Sequence, residues 1–129
     1  MRKVIIESPY AGDVERNLHY ARAALRDSLL RGESPIASHL LYTQPGVLDD
    51  TIPEERSLGI AAGLAWASSA QAAVFYLDYG WSAGMRAALD HHRTHRLKIE
   101  YRYLYPKEDF YANTGGTSRL EDHDRSRLR

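Results

Sequence analysis

The sequence predicts a parallel α/β protein, and three observations carry that expectation. Short apolar runs alternate with longer stretches of helical periodicity, in the order β-α-β-α-β-α-β. One run, Ala72 to Leu77, shows no polar alternation, as a central parallel strand covered on both faces requires. The first helical stretch is capped at both ends, by Asp13 before it and Gly32 directly after it. Such an order implies right-handed crossovers between parallel strands.

Taken in order, Val4-Ile5-Ile6 is a β-branched run that reads as a buried strand, ending about where Pro9 cannot donate to a ladder. From Asp13 a helix should run to about Arg31, with Val14, Leu18, Ala21, Leu25 and Leu29 as its apolar stripe. A second short strand is expected near Ile36, opening into a loop. The segment Gln44 to Pro53 is long enough to be functional rather than connective. Thr51 and Glu54 have capping-box spacing, and Pro53 suits a first helical turn, so a second helix is expected over 53–69. Its Gly59 and Gly63, four apart, leave one face almost bare, which would let another backbone approach. After the third strand, Ser82 can cap a helix reaching about His92. Leu97 to Leu104 then alternates: Leu97, Ile99, Tyr101 and Tyr103 share one face, and Lys98, Glu100 and Arg102 the other. That alternation suits a sheet edge. Residues 1–105 therefore form the domain, and 106–129 read as a polar, irregular tail.

Composition narrows the function. The chain of 129 residues balances seventeen Lys and Arg against seventeen Asp and Glu. Without a basic excess, the electrostatic drive for binding polymeric nucleic acid is missing, whereas one small site needs only a few donors. There is no cysteine, which removes disulfides, thiolate metal sites and cysteine nucleophiles and fits a reducing cytoplasm. No run approaches the roughly 20 apolar residues of a membrane span, and no signal peptide is visible.

In an open parallel sheet, ligands bind beyond the carboxyl ends of the strands. Three segments lie there: Glu7 to Asp13, His39 to Asp50, and Asp78 to Gly84. Ser8, Tyr10, Ser82 and helix-start amides can donate to phosphate or hydroxyl groups. Glu7, Asp49, Asp50 and Asp78 can accept from ribose hydroxyls, and Tyr10, Tyr79 and Trp81 offer flat faces for a base. Each has a plainer role too: Asp13 and Ser82 as helix caps, Asp78 as a turn cap, Trp81 as loop packing. Glu7 has no such plain role, because a carboxylate ending a buried strand needs a partner or a purpose. His39 faces the expected crevice. His91 and His95 stand four apart, but at a helix end, where cations complement the dipole, so no metal is expected. The stretch Asp78 to Gly84 matches neither the dinucleotide nor the P-loop pattern, and no cofactor is expected.

These pieces together resemble the nucleoside 2-deoxyribosyltransferase-like superfamily, especially its small members from phages and bacteria. The resemblance rests on Ser8-Pro9-Tyr10-Ala11-Gly12-Asp13 with Asn17 and Ala21-Arg22, on Pro35-Ile36-Ala37-Ser38-His39-Leu40, and on Asp49-Asp50 with Pro53-Glu54-Glu55-Arg56 and Gly59. It ends on Ser82-Ala83-Gly84-Met85, and covers roughly residues 3–104. It implies a three-layer, flavodoxin-like or Rossmann-like sandwich of four to five parallel strands, with a nucleoside or nucleotide at the strand ends. The expected ligand contacts are Ser8, Pro9, Tyr10, His39, Asp49, Asp78, Trp81, Ser82, Gly84 and Met85. It also implies a glutamate nucleophile at the position held here by Ala88, which cannot form a glycosyl ester. The expected function is therefore nucleotide binding, as a sequestering or sensing protein. An N-glycosidase or transferase using Glu7 or Asp78 is the alternative, and a protein-interaction module a third. Catalytic relatives are oligomers completed by residues near the chain end, a role that falls here to Tyr111 and Asn113.

Overall fold

The structure is a computed structural model, and it describes residues 1–106. Four strands form one sheet in the order β2-β1-β3-β4, every pair parallel: β1 (Lys3–Glu7), β2 (Ser34–Ile36), β3 (Ala72–Tyr76) and β4 (Lys98–Arg102). Between them lie α1 (Val14–Leu30), a single-turn α2 (Ser38–Leu41), α3 (Pro53–Leu64) with a 3₁₀ turn at Ala65–Ser68, and α4 (Ala83–Thr94). The expected parallel α/β sandwich is the observed one.

Right-handed crossovers dictate the layers. The chain moves one way from β1 to β2 and the other way from β2 to β3 and β4. One face of the sheet therefore carries α1, and the other carries α3 and α4. The core divides accordingly. Val4, Ile6, Ala72, Val74 and Tyr76 pack with Tyr20, Ala21 and Ala24 of α1. Ala73, Phe75 and Leu77 pack with Met85 and Ala88 of α4. All five residues of β3 are buried, which explains its lack of polar alternation.

Three local expectations need correction. The α1 stripe is rotated in part: Ala21 is buried and Leu18 and Leu25 pack against the core as expected, but Asn17, Tyr20, Ala24 and Ser28 are buried as well, while Val14 and Leu29 are exposed. Hydrogen bonds cause the rotation. Asn17 Nδ2 donates to the carbonyls of Tyr10 and Ala11, the Tyr20 hydroxyl to Asp78, and the Ser28 hydroxyl to Glu33. These polar anchors outweigh the exposure of two aliphatic side chains at the helix ends.

The Thr51–Glu54 capping box does not form. Asp49 takes both the backbone N–H and the hydroxyl of Thr51, and Ile52 occupies the cap position without a side-chain bond. Finally, β4 lies at the sheet edge as expected, but its polar face is open to solvent mainly at Lys98. Arg102 is 5% exposed and bonds Glu33 and Glu100, and Arg2 bonds the same two carboxylates. This ion cluster closes the β2–β1–β3–β4 sheet on the α1 side.

Candidate functional site

The chain reverses its winding direction between β1 and β3, and in open α/β sheets a crevice opens beyond the strand ends at such a point. A cavity of about 270 Å³ lies there. One wall is the β1 exit, with Glu7, Ser8, Tyr10 and Ala11. A second is α2 and its continuation, with Ser38, His39, Tyr42 and Thr43. The third is the start of α4, from Ser82 to Met85 with Ala87 and Ala88, and α3 closes the cavity through Gly59, Ile60, Gly63 and Leu64. Its volume is just below the roughly 300 Å³ lower end of typical small-molecule sites.

Sequence chemistry explains how each wall is held. Gly63 is the contact point between α3 and α2: a Cβ built there would stand 2.8 Å from Ser38 Cβ and nearer still to its Oγ. Only glycine allows this approach. The bare face of α3 thus receives α2, a helical turn where a loop was expected. Thr43 donates back to the His39 carbonyl at 2.7 Å and finishes the turn. Ser82 caps α4 by accepting from the Met85 amide at 3.1 Å, which fixes the direction in which the α4 amides point.

Two polar pairs stand at the β1 exit. The Ser8 Oγ and His39 Nε2 atoms are 2.6 Å apart. Burial holds the His39 imidazole below its usual pKa, against the opposing pull of the Glu7 charge. Burial thus favours the neutral ring, and the tautomer with its proton on Nδ1 accepts from the Ser8 hydroxyl. Behind them, Glu7 Oε2 lies 2.7 Å from Nε2 of the fully buried His92 on α4. Glu7 has found the partner that its position demanded. The other His92 nitrogen, Nδ1, is buried without a hydrogen-bond partner among the described residues. Donation from Nε2 to Glu7, with a lone pair left on Nδ1, fits this geometry, since an unpaired acceptor costs less than an unpaired donor.

The expected site residues divide cleanly. Glu7, Ser8, Tyr10, His39, Ser82, Gly84 and Met85 come together around the cavity. Pro9 is buried beside it without lining it. Asp49 is exposed and turned away, its carboxyl held below the usual range by Thr51, and its neighbour Asp50 lines the cavity instead. Trp81 packs on Phe75 and Tyr101 rather than offering a face to a ligand. Asp78 is 2% exposed and serves the scaffold, accepting from the Tyr20 hydroxyl and from the amides of Leu104 and Tyr105. A strand-end carboxylate within reach of free amides is satisfied by them before it reaches a crevice. Tyr79 sits edge-on to Tyr20 beneath the Arg16 guanidinium. Tyr111 and Asn113 lie outside the described residues.

Sequence reasoning missed the α3 wall, Tyr42, Arg56 and the buried His92. The Gly59–Gly63 spacing was the signal for the first. Nothing in the local pattern separates His92 from the neighbouring His91 and His95, which bond carbonyls of Leu64 and His91. Among the described residues no group of three His, Asp or Glu is placed to hold a metal ion, and no helix is long and apolar enough to cross a membrane.

Fold and cavity together define a small α/β sandwich with a ligand-sized crevice at its topological switch point. Residues 2–102 match the family described as a domain of unknown function, DUF7768, and the chain belongs to that family. Solved structures share the fold. One is a 2-deoxyribosyltransferase from the psychrotolerant bacterium Bacillus psychrosaccharolyticus, with a TM-score of 0.57 and 13% identity over 93% of this chain and 94% of that one. No curated protein matches the sequence.

Proposed function

We propose that the cavity binds a nucleoside or nucleotide and that the protein sequesters or senses it rather than transferring its sugar. The observation that carries this reading is the composition of one cavity. Donors and acceptors (Ser8, Tyr10, Ser82) cluster at the strand ends opposite an apolar wall of Leu48, Ile60 and Leu64 suited to a base. Where the deoxyribosyltransferase-like pattern implies a glutamate nucleophile, this cavity is lined by Ala88. A methyl group cannot attack an anomeric carbon. The reading extends to a cytoplasmic homo-oligomer, of phage origin and directed at a signalling nucleotide.

Thermal melting against a panel of nucleosides and nucleotides tests it. A ligand at one hundred times its dissociation constant should stabilise the fold by about 2.7 kcal/mol. Mass spectrometry should then recover that ligand intact. A panel without any stabilising member would remove the reading, and would leave a protein-interaction role as the better account.

A second reading is favoured by Glu7, the carboxylate at the cavity floor. Supported by His92, it could activate water for cleavage of an N-glycosidic bond. Release of free base by the wild type, abolished in Glu7→Gln, would establish that alternative. Asp78, occupied by three protein donors, has no part in it.

A further inference from the structure

We propose that Ser8 and His39 form a nucleophile–base pair that transfers the acyl group of a small carboxylic ester entering the cavity. The pair has the geometry such chemistry needs. Ser8 Oγ is within 2.6 Å of His39 Nε2, both residues line the cavity, and in the tautomer with its proton on Nδ1 the ring accepts from the hydroxyl.

Three further observations support it. Ser8 is 5% exposed, so bulk water does not compete for its hydrogen bond. Burial disfavours the protonated imidazole. The Glu7 charge acts on the same ring in the opposite sense, and so stabilises the imidazolium once it forms. The pair is also rigidly mounted. Ser8 leaves the central strand β1, and the α2 turn bearing His39 is seated against Gly63. Ala83 and Gly84, the first residues of α4, line the same cavity, and amides at a helix start have no intrahelical acceptor, which makes them candidate donors for a developing oxyanion.

The step balances without a cofactor. Ser8 Oγ bonds to the ester carbonyl carbon as its proton passes to His39 Nε2. The ester C–O bond then breaks, and the departing alkoxide takes that proton. Water attacks the acyl carbon as His39 Nε2 takes its proton; the acyl C–Oγ bond then breaks, Ser8 Oγ takes that proton back from His39, and the carboxylic acid leaves with both side chains restored.

A fluorophosphonate probe reads the pair directly, with no nucleotide in the assay. The expected result is one covalent adduct, mapped by mass spectrometry to Ser8 and absent in Ser8→Ala. His39→Gln, confirmed as folded by circular dichroism, should label at least about a hundredfold more slowly, the contribution typical of a positioned base. Wild-type protein should also release p-nitrophenol from p-nitrophenyl acetate with an initial burst. An adduct spread over surface hydroxyls, no adduct, or labelling unchanged in His39→Gln would each overturn the proposal and make the pair a latch between β1 and α2. The wild-type mapping decides the question even if His39→Gln does not fold.

Discussion

Tyr20 and Asp78, 58 residues apart, are joined by two reciprocal hydrogen bonds: the phenol donates to the Asp78 carboxylate and accepts from the Asp78 backbone amide at 2.8 Å. The same carboxylate accepts from the amides of Leu104 and Tyr105, at 2.8 and 3.1 Å. One side chain thus ties α1, the end of β3 and the chain beyond β4. Burial and the adjacent charge push the Tyr20 phenol far above its ordinary range, so it stays a donor at every accessible pH.

Asp78→Ala strands three donors at once. The expected loss is about 3 kcal/mol or more, since each buried unsatisfied group costs ~1–3 kcal/mol. Urea unfolding measures it. Ligand-dependent stabilisation, read at a temperature where the variant is folded, should persist, because Asp78 is not part of the cavity.

The Glu7–His92 pair predicts the reverse pattern. Glu7→Gln keeps an acceptor for His92 Nε2 and should change the melting temperature little, while altering whatever the cavity binds or does. His92→Ala removes a fully buried ring and should cost about 3 kcal/mol, in line with other large-to-small core changes. Comparing melting curves and ligand shifts for the two variants separates support from contact.

The fold was legible because its signals are local and repeated. The β3 run, the Asp13 and Ser82 caps and Gly32 each act within a few residues, and the caps bond as their types require. The site was only partly legible because it depends on which partner reaches a group first. Asp78 and Glu7 both end buried strands and look equivalent in sequence. Asp78 meets amides from beyond β4, while Glu7 meets a single imidazole and keeps a face on the cavity. That difference arises from the sheet order, which no local pattern encodes. The Arg102 cluster is a similar case, since an alternating strand reads as half-solvated whether its outward charges meet water or, like Glu100 and Arg102, meet Arg2 and Glu33.

That cluster makes stability sensitive to acid. Hydrogen bonds from Arg102 and Arg2 hold Glu33 at about 2, and the same arginines, Arg2 foremost, hold Glu100 at about 2, both from an ordinary 4.5. A carboxylate with a depressed folded-state pKa adds stability above its unfolded value and loses it as pH falls through the folded one. The contribution of this cluster should therefore be level above pH 5 and drop between about pH 4.5 and 2, by on the order of 3 kcal/mol for these coupled groups. Urea midpoints across that range measure the slope. In Arg102→Met the slope should shrink, and the midpoint at pH 6 should fall because Glu33 is left buried beside one cation fewer.

Gly63 offers the sharpest test of how the cavity is built. Its added Cβ in Gly63→Ala would meet the Ser38 side chain at the base of α2, well inside contact distance. A single-turn helix has few bonds of its own to resist, so α2 should shift as a unit and carry His39 away from Ser8. Overpacking of this kind costs about 1–3 kcal/mol. The functional loss should be larger than that cost suggests, with ligand stabilisation and any Ser8 labelling both falling. Removing the opposing atoms should repair the damage: Ser38→Gly in the Gly63→Ala background opens the space that the new methyl needs. A double-mutant cycle on melting temperature and ligand shift would then show strong positive coupling between positions 38 and 63. Additive effects would mean that α2 is held by something other than this contact.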